Sequence, residues 1–470
     1  MFVKIIASIG PASSSLEVIE KMARLGATGF RINFAHGDPD QWKQFVDAVR
    51  KAEEKLGKPL ALIGDLRGPS VRLGVLENPI EVRKGEVLVM KLVDKASGGD
   101  EKVVPVPVPH FFDVVDVGDL VVMDDGRVRL RVVDKPSSDE VEVVAATDAR
   151  ITSRKAVVIR GKDYDLPALS EYDMKCLDFA IQNDFDYISL SYVRRAEDLE
   201  ILRDVLKKRG REDIGVIAKI ETKSAVENLD RIMDVADVVM VARGDLGMIF
   251  SLEDIHYYQS LIVSKCIARG KPVIVATQLL ESMIENPVPT RAEVVDISTA
   301  VEQGVDALML TGETSIGKHP IEAVAWLRRV IEHTEARMGS KLEAIARSAR
   351  DRPMDLGHRF VKGVIELAED LEAKFITFSM RGNTPRMMTG MRPRIKLFVA
   401  SNNWKVLRKL SILWGIQPFY VEANSYDEGL AKAFEEAKKR GYVNIGDIAV
   451  LTYGLREEKQ YVEILRVTAI

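Results

Sequence analysis

The chain alternates short, continuous apolar segments with amphipathic segments of helical length, and this rhythm constrains its fold more than any other feature. Eight apolar runs have the length of a strand, at residues 4–9, 29–34, 60–66, 187–192, 216–221, 238–243, 273–277 and 307–311. Continuous apolar runs are typical of parallel strands that are covered on both faces. Eight such strands, most of them followed by a helix, predict an α/β fold closed into a (β/α)8 TIM barrel.

Two other segments depart from this rhythm. Residues 69–167 are rich in Val, Gly, Asp and Pro, and they alternate in short runs without a helical period. We interpret them as an all-β lid domain inserted after the third strand. After residue 336 comes a polar, basic stretch to about residue 359, and then the α/β pattern returns. The predicted domains are therefore a barrel at 1–68 and 168–337, a β lid at 69–167 and a C-terminal α/β domain at 338–470.

Composition excludes several classes of protein. The chain has 470 residues, of which 46% are apolar, and a net charge of −4. This charge creates no basic field that would attract nucleic acid or a membrane surface. No segment is long and apolar enough for a membrane span, and the start lacks the features of a signal peptide, so we expect a cytoplasmic protein. Cys176 and Cys266 lie in mostly apolar stretches, which favours buried free thiols over a disulfide.

Polar side chains follow seven of the eight predicted strands, although buried strands normally exclude charge unless it is paired or functional. In a barrel of this type the chemistry collects at the C-terminal ends of the strands. The pairs at these ends are Arg31 with Asn33, Asp65 with Arg67, Ser189 with Ser191, Lys219 with Glu221, Arg243 with Asp245, Thr277 with Gln278, and Thr311 with Glu313. We therefore expect a functional site at this rim.

The residue types at the rim indicate a metal and a phosphate. Glu221 and Asp245 offer the hard oxygen ligands that Mg²⁺ binds together with substrate oxygens. Lys219 is a compact charge suited to a phosphoryl group or a developing enolate oxygen. The alternative is that both carboxylates only form buried ion pairs with Lys219 or Arg243.

Eight short motifs occur in order along the chain: SIGPAS (8–13), RINFAHG (31–37), GDLRGP (64–69), KIE (219–221), MVARGDLG (240–247), ATQLLESM (276–283), PTRAE (289–293) and LTGET (310–314). Together they show that the chain resembles the pyruvate kinase family along nearly its whole length. The resemblance implies transfer of the phosphoryl group of phosphoenolpyruvate to ADP, which gives pyruvate and ATP in the last step of glycolysis. It also implies a closing lid, a regulatory C-terminal domain and a homotetramer.

The resemblance further implies roles for the matching residues. Glu221 and Asp245 would bind Mg²⁺ or Mn²⁺, and Lys219 would stabilise the transferring phosphoryl group and the enolate. Gly244, Asp245 and Thr277 would hold the substrate carboxylate, with Thr277 near the carbon that is protonated.

Arg31 would contact the transferring phosphate. The nucleotide would meet Asn33, His36 and Arg72, with Lys162 as a further contact from the lid. For His36 the alternative is a histidine that only stabilises its own turn.

The chain departs from the family pattern at the expected potassium site. The family usually binds K⁺ through an Asn, a Ser hydroxyl, an Asp and a backbone carbonyl. Asn33 and Asp65 are present, but the Ser position is Ala35, and Ser70 stands where K⁺-dependent members usually have Glu. We therefore expect a weak or vestigial K⁺ site at Asn33 and Asp65, and activity that is largely independent of K⁺.

Two questions stay open at this stage. Ser379, Arg381, Gly382 and Thr384 lie where relatives bind a phosphorylated allosteric effector, and such residues suit a phosphate, although an ordinary loop is the alternative. The competing functions are a Mg²⁺-dependent aldolase or lyase on a related barrel, and a non-catalytic metabolite sensor. The first of these would need neither the lid nor Lys219.

Overall fold

The structure is a computed structural model that describes residues 1–96, 102–453 and 460–468. Residues 97–101, 454–459 and 469–470, which fall within the predicted lid and C-terminal domains, lie outside the described residues. The described chain contains a closed barrel, an inserted β-rich unit and a C-terminal α/β unit, which confirms the fold class predicted from the sequence.

Eight parallel strands pair in chain order, and the eighth pairs with the first to close the barrel. They are Lys4–Ile9, Ala27–Asn33, Ala61–Leu66, Tyr187–Leu190, Gly215–Ile220, Val238–Ala242, Val273–Ala276 and Ala307–Leu310. Nearly all of their residues are buried. Because both faces of each strand are covered, the sequence of each strand is continuously apolar rather than alternating.

Helices surround the barrel: Leu16–Leu25, Pro39–Leu56, Glu171–Gln182, Ala196–Lys208, Lys223–Glu227, Leu229–Val235, Arg243–Ile249, Ile255–Arg269, Arg291–Glu302, Gly312–Ser315 and Pro320–Glu335. Short 3-10 turns lie at Pro11–Ser13, Leu252–Asp254 and Glu281–Ile284. The first helix begins after Ser15, whose hydroxyl accepts a hydrogen bond from the amide of Val18, and ends at Gly26, whose φ is 119°. A side chain would disfavour that left-handed conformation, so glycine stops the helix there.

The inserted unit follows the third barrel strand. Its strands are Val75–Leu76, Ile80–Val82, Val87–Lys91, Lys95–Ala96, Val103–Pro105, Leu120–Met123, Val128–Ser137, Glu140–Ala145, Ala149–Ile151 and Val157–Ile159. The prediction of an all-β unit is wrong in one detail, because Pro109–Val114 forms a short helix and Asp124–Gly126 a 3-10 turn. This helix has six residues and is anchored by buried Phe111 and Phe112, so it is too short to give a periodic pattern.

The C-terminal unit is a five-stranded sheet with helices. In spatial order its strands are Ile416–Tyr420, Leu397–Ser401, Lys374–Phe378, Ile448–Tyr453 and the antiparallel Tyr461–Arg466. Its helices are Ser340–Arg350, Leu356–Asp370, Asn383–Thr389, Trp404–Leu410 and Tyr426–Lys439.

Buried ion pairs join the C-terminal unit to the barrel at the N-terminal ends of the strands. Arg392 donates two hydrogen bonds, of 3.1 and 2.5 Å, to Asp306, which directly precedes the eighth strand. Arg386 likewise donates to Asp237, which precedes the sixth strand, at 3.2 Å. Asp306 also accepts a hydrogen bond from the backbone amide of Trp414. The C-terminal unit therefore covers this end of the barrel and leaves the opposite rim to the inserted unit.

Two further expectations concern the cysteines and the membrane. Cys176 and Cys266 are both buried free thiols, as predicted. Within the described part of the chain, every helix is too short or too polar to cross a bilayer.

We predict that Arg392→Met lowers the stability of the protein strongly. The change leaves the Asp306 carboxylate buried without its cation, and breaking such a pair costs about 3–5 kcal/mol. Chemical denaturation followed by circular dichroism should show the lower midpoint. Arg231→Met, which removes an exposed pair with Glu197, is the matched control and should stay near wild type. An Arg392→Met midpoint equal to that of the control would contradict this account of the interface.

Candidate active site

The C-terminal rim of the barrel brings the predicted lysine and carboxylates together. Lys219 Nζ lies 3.4 Å from Glu221 Oε2 and 3.7 Å from Asp65 Oδ2. It also donates a hydrogen bond of 2.7 Å to the hydroxyl of Ser191, which in turn donates to the backbone carbonyl of Leu66. The ammonium group is therefore held in place by groups from three neighbouring strand ends.

Burial and charge act against each other in this cluster. Burial alone would lower the pKa of Lys219, but the carboxylates of Asp65, Glu221 and Asp245 outweigh it and raise that pKa above its ordinary value. Burial raises the pKa of Glu221 to about 8, although Lys219 opposes the shift. The lysine thus stays cationic, whereas Glu221 is short of positive charge.

Asp65 is the second anchor of the rim. Arg31 donates to Asp65 Oδ2 through Nε at 3.0 Å and through a second guanidinium nitrogen, while Ser189 donates to Asp65 Oδ1 at 2.6 Å. Although burial raises the pKa of Asp65, Lys219 and Arg31 hold it below its usual range. Both oxygens of this carboxylate are therefore already engaged by protein groups.

The predicted carboxylate-binding residues also meet at the rim. The amide of Gly244 donates to the Thr277 hydroxyl at 2.8 Å, at the start of the helix Arg243–Ile249. Thr277 and Gln278 both have left-handed backbones, with φ of 70° and 52°.

Arg243 holds this strained turn. Its guanidinium donates to the backbone carbonyls of Thr277 and Gln278, at 2.8 and 3.0 Å, and to the carboxylate of Asp296. The alternative in which Arg243 pairs with Asp245 is therefore wrong, because Asp296 on a neighbouring helix takes that role. The Lys219–Glu221 pair of the same alternative does form, at the distance given above.

A cleft of about 1000 Å³ lies between the rim and the inserted unit. Its basic lining residues are His36, Arg67, Arg72, Arg154 and Lys155. Asp245 also lines it and connects it to the charged cluster. Burial and the neighbouring guanidinium groups lower the pKa of His36. The cleft thus offers positive charge to a polyanionic ligand beside the rim.

Two predicted nucleotide contacts, Lys162 and Asn33, are not among the residues that line this cleft. Lys162 donates to Asp116 and Asp119, both at 2.7 Å, and it lines a separate small cavity instead of the cleft. The amide side chain of Asn33 accepts a hydrogen bond from the backbone of Ala35 at 3.1 Å. The role of Lys162 toward a nucleotide stays a prediction.

The rim carboxylates fit a divalent cation. Glu221 Oε2 is buried and accepts no hydrogen bond. Lys219 Nζ lies 3.4 Å away, yet burial still raises the pKa of Glu221 to about 8, so one ammonium group does not fully offset the cost of burying this carboxylate. Among the described residues, no cluster of three or more His, Cys, Asp or Glu is arranged to hold a metal. A cation here would therefore need oxygens from a ligand or from water beside Glu221 and Asp245, which is how Mg²⁺ usually binds.

Comparison with known proteins identifies the family of this site. A family model described as pyruvate kinase, barrel domain, matches residues 2–324, and one described as pyruvate kinase, alpha/beta domain, matches residues 358–468. The chain belongs to the pyruvate kinase family. Members of this family use a divalent metal. The aldolase and sensor alternatives are not favoured.

Individual relatives agree with this membership. A pyruvate kinase from Pyrobaculum aerophilum is 40% identical over 96% of this chain and 94% of its own length. One from Thermotoga maritima is 36% identical over 96% of both chains. A crystal structure of a pyruvate kinase from Cryptosporidium parvum is similar at a TM-score of 0.91 and 30% identity, covering 99% of this chain and 96% of that one.

The loop predicted to meet an effector in this pyruvate kinase family member follows the strand Lys374–Phe378. Ser379 and Thr384 are buried, and the Ser379 hydroxyl accepts a hydrogen bond of 3.0 Å from the amide of Gly382. Arg381 is exposed. The loop is thus closed on itself, and binding of an effector stays a prediction.

Sequence reasoning missed or misjudged several residues at the rim. Tyr192 contacts Glu221 and Asp245, but it read as the last apolar residue of a strand. Glu313, expected at the site, accepts hydrogen bonds from the backbone amides of Leu280 and Thr311, so it stabilises the rim itself. Glu313 lies two residues after the predicted end of the eighth strand. A carboxylate at this position can bind backbone amides or a ligand, so the sequence does not show which role it has.

We predict that Arg243→Met lowers kcat/KM for phosphoenolpyruvate by about 10²-fold, since small misplacements of a substrate-contacting group cost that much. The variant removes the donors that hold the carbonyls of Thr277 and Gln278. Steady-state assays alongside the surface variant Arg231→Met measure the effect. Wild-type kcat/KM in Arg243→Met would show that these bonds do not position Thr277.

Proposed function

We propose how the rim carries out the reaction of the pyruvate kinase family, transfer of the phosphoryl group of phosphoenolpyruvate to ADP. The observation that carries this proposal is the meeting of Lys219, Glu221 and Asp245 at one point beside a basic cleft. Phosphoryl transfer depends on positioning and charge neutralisation more than on covalent help from the protein. The rim supplies both.

In this proposal Glu221 and Asp245 hold Mg²⁺, or Mn²⁺ in its place. When bound, the cation neutralises charge on the substrate oxygens. Lys219 faces the same oxygens from the other side, and its raised pKa keeps its proton in place while the enolate charge develops. Arg31 donates to the transferring phosphoryl group through guanidinium N–H groups that its bonds to Asp65 leave free.

The substrate carboxylate lies at the start of the helix Arg243–Ile249, against the amides of Gly244 and Asp245. Backbone amides at a helix start favour an anion. Thr277, held by Arg243, places its hydroxyl beside the same carboxylate and near the carbon that receives a proton. The left-handed turn at Thr277 thus serves to aim this hydroxyl.

The nucleotide occupies the cleft in our proposal. Asn33, His36 and Arg72 contact it, and Lys162 joins them when the inserted unit closes. Closure would exclude water and strengthen every charge interaction in the site.

We also propose the domain boundaries predicted from the sequence: the barrel at 1–68 and 168–337, the lid at 69–167 and the C-terminal domain at 338–470.

We further propose that activity is largely independent of K⁺. Asp65 already binds Arg31 and Ser189 through both oxygens, and Ala35 offers no hydroxyl. Ser70 has a neutral hydroxyl where K⁺-dependent members usually have a Glu carboxylate, so it brings no negative charge to the site. A monovalent cation would therefore gain few ligands here.

Family membership also supports three further proposals. The enzyme works as a homotetramer, a phosphorylated effector binds at Ser379, Arg381, Gly382 and Thr384, and the protein resides in the cytoplasm. Calorimetric titration with sugar phosphates and AMP tests the proposed effector site. The absence of any heat of binding would contradict this proposal.

We predict that Lys219→Met lowers kcat by about 10³-fold or more, because it removes a charge that stabilises the transition state in a buried site. A coupled lactate dehydrogenase assay with phosphoenolpyruvate, ADP and Mg²⁺ measures it. Lys223→Met, a change at a half-exposed lysine four residues away, is the control and should keep wild-type turnover. Near-normal turnover in Lys219→Met would refute the assigned role.

We predict the same turnover in a tetramethylammonium buffer free of Na⁺ and K⁺ as in a buffer with K⁺. The physical reason is the engagement of Asp65 by Arg31 and Ser189. As a matched variant, Ser70→Glu restores a carboxylate and should make turnover respond to K⁺. A strong K⁺ requirement in the wild-type enzyme would contradict the proposal.

A further inference from the structure

Tyr192 lies two residues after the fourth barrel strand, Tyr187–Leu190, at the edge of the charged cluster. Its backbone is left-handed, with φ of 53°. A left-handed backbone at a residue with a β-carbon raises the free energy of the fold by about 1–3 kcal/mol. Such a conformation persists only where several surrounding contacts hold it in place. Those contacts are therefore informative.

Two hydrogen bonds connect Tyr192 to the carboxylates. Its backbone amide donates to Glu221 Oε1 at 2.6 Å, and its hydroxyl donates to Asp245 Oδ1 at 3.0 Å. Across residues 1–96, 102–453 and 460–468, these are the only hydrogen bonds that either carboxylate accepts. One residue thus fixes both acidic side chains. The second oxygen of each accepts no hydrogen bond within the described residues, although the Lys219 ammonium lies 3.4 Å from that of Glu221.

We propose that Tyr192 is a positioning residue for the divalent cation, one that aims the free oxygens of Glu221 and Asp245 at a common point. This inference rests on the proposed function, since it deepens the metal site described there. The amide sets Glu221 and the phenol sets Asp245, so the two ligands are oriented by one rigid turn. Groups that orient metal ligands typically contribute 10–100-fold to metal affinity.

The charges around Asp245 explain why it needs a tether. Arg72, from the inserted unit, lines the same cleft as Asp245, and the opposite charges of the two side chains attract each other. Without the phenol, the Asp245 carboxylate is free to turn toward Arg72, an arrangement that would remove its oxygen from the cation. The hydroxyl of Tyr192 therefore acts by holding Asp245 against a competing partner.

Tyr192→Phe isolates this hydroxyl, because it keeps the ring and the backbone amide that binds Glu221. Titration of the substrate-free protein with Mn²⁺, followed by electron paramagnetic resonance, should show about 10–100-fold weaker binding. The variant should remain folded, with a circular dichroism spectrum like that of the wild type. In steady-state assays the Mg²⁺ concentration for half-maximal rate should rise, while kcat at saturating Mg²⁺ changes little. Tyr257→Phe, at an exposed tyrosine, is the control and should bind Mn²⁺ as the wild type does.

A third variant, Glu221→Gln, tests the proposed metal site separately from the positioning role of Tyr192. If Glu221→Gln loses Mn²⁺ binding while Tyr192→Phe binds with wild-type affinity, the metal site stands and the positioning role of Tyr192 is overturned. If Glu221→Gln itself binds Mn²⁺ with wild-type affinity, the proposed metal site is wrong, and the role of Tyr192 is overturned with it.

Discussion

The structure depends on one constraint: charges that lie buried at the ends of parallel strands must compensate one another. Lys219, Glu221 and Asp65 meet this constraint together, since the ammonium group lies within 4 Å of both carboxylates. The compensation is incomplete, because burial still raises the pKa of Glu221 to about 8. Because the negative charge of this cluster is not fully compensated, a bound cation would stabilise it. The neighbouring residues of the rim hold the carboxylates that would bind this cation.

Charged side chains are buried at both ends of the barrel, but they stabilise the fold at one end and form the candidate active site at the other. At the N-terminal end, two guanidinium nitrogens of Arg392 donate to both oxygens of Asp306, and this buried pair joins the C-terminal unit to the strands. At the C-terminal end, Glu221 Oε2 is buried without a hydrogen bond, and Asp245 lines the basic cleft that opens beside it. Satisfied pairs stabilise the fold, whereas unsatisfied ones provide the chemistry.

The sequence predicts the barrel and the charged rim because both leave strong local signals. Continuous apolar runs mark covered strands, and charge directly after them marks the rim, as at Lys219. It does not predict which neighbour each charge selects. Arg243 pairs with Asp296, and Lys162 turns toward Asp116 and Asp119, because helix and loop packing decides such contacts at long range in the chain. Tyr192 was missed for a similar reason, since its function depends on a left-handed turn that leaves no pattern in the residues around it.

The central claim is that an ammonium group and a divalent cation flank the same ligand at this rim. A crystal grown with Mn²⁺ and oxalate tests it most directly, because the anomalous signal of manganese distinguishes the cation from water and from lighter ions. The account predicts a single strong peak at about 2.1 Å from oxygens of Glu221 and Asp245, with oxalate between the metal and Lys219. A peak elsewhere in the molecule, or an oxalate that does not contact Lys219, would contradict it.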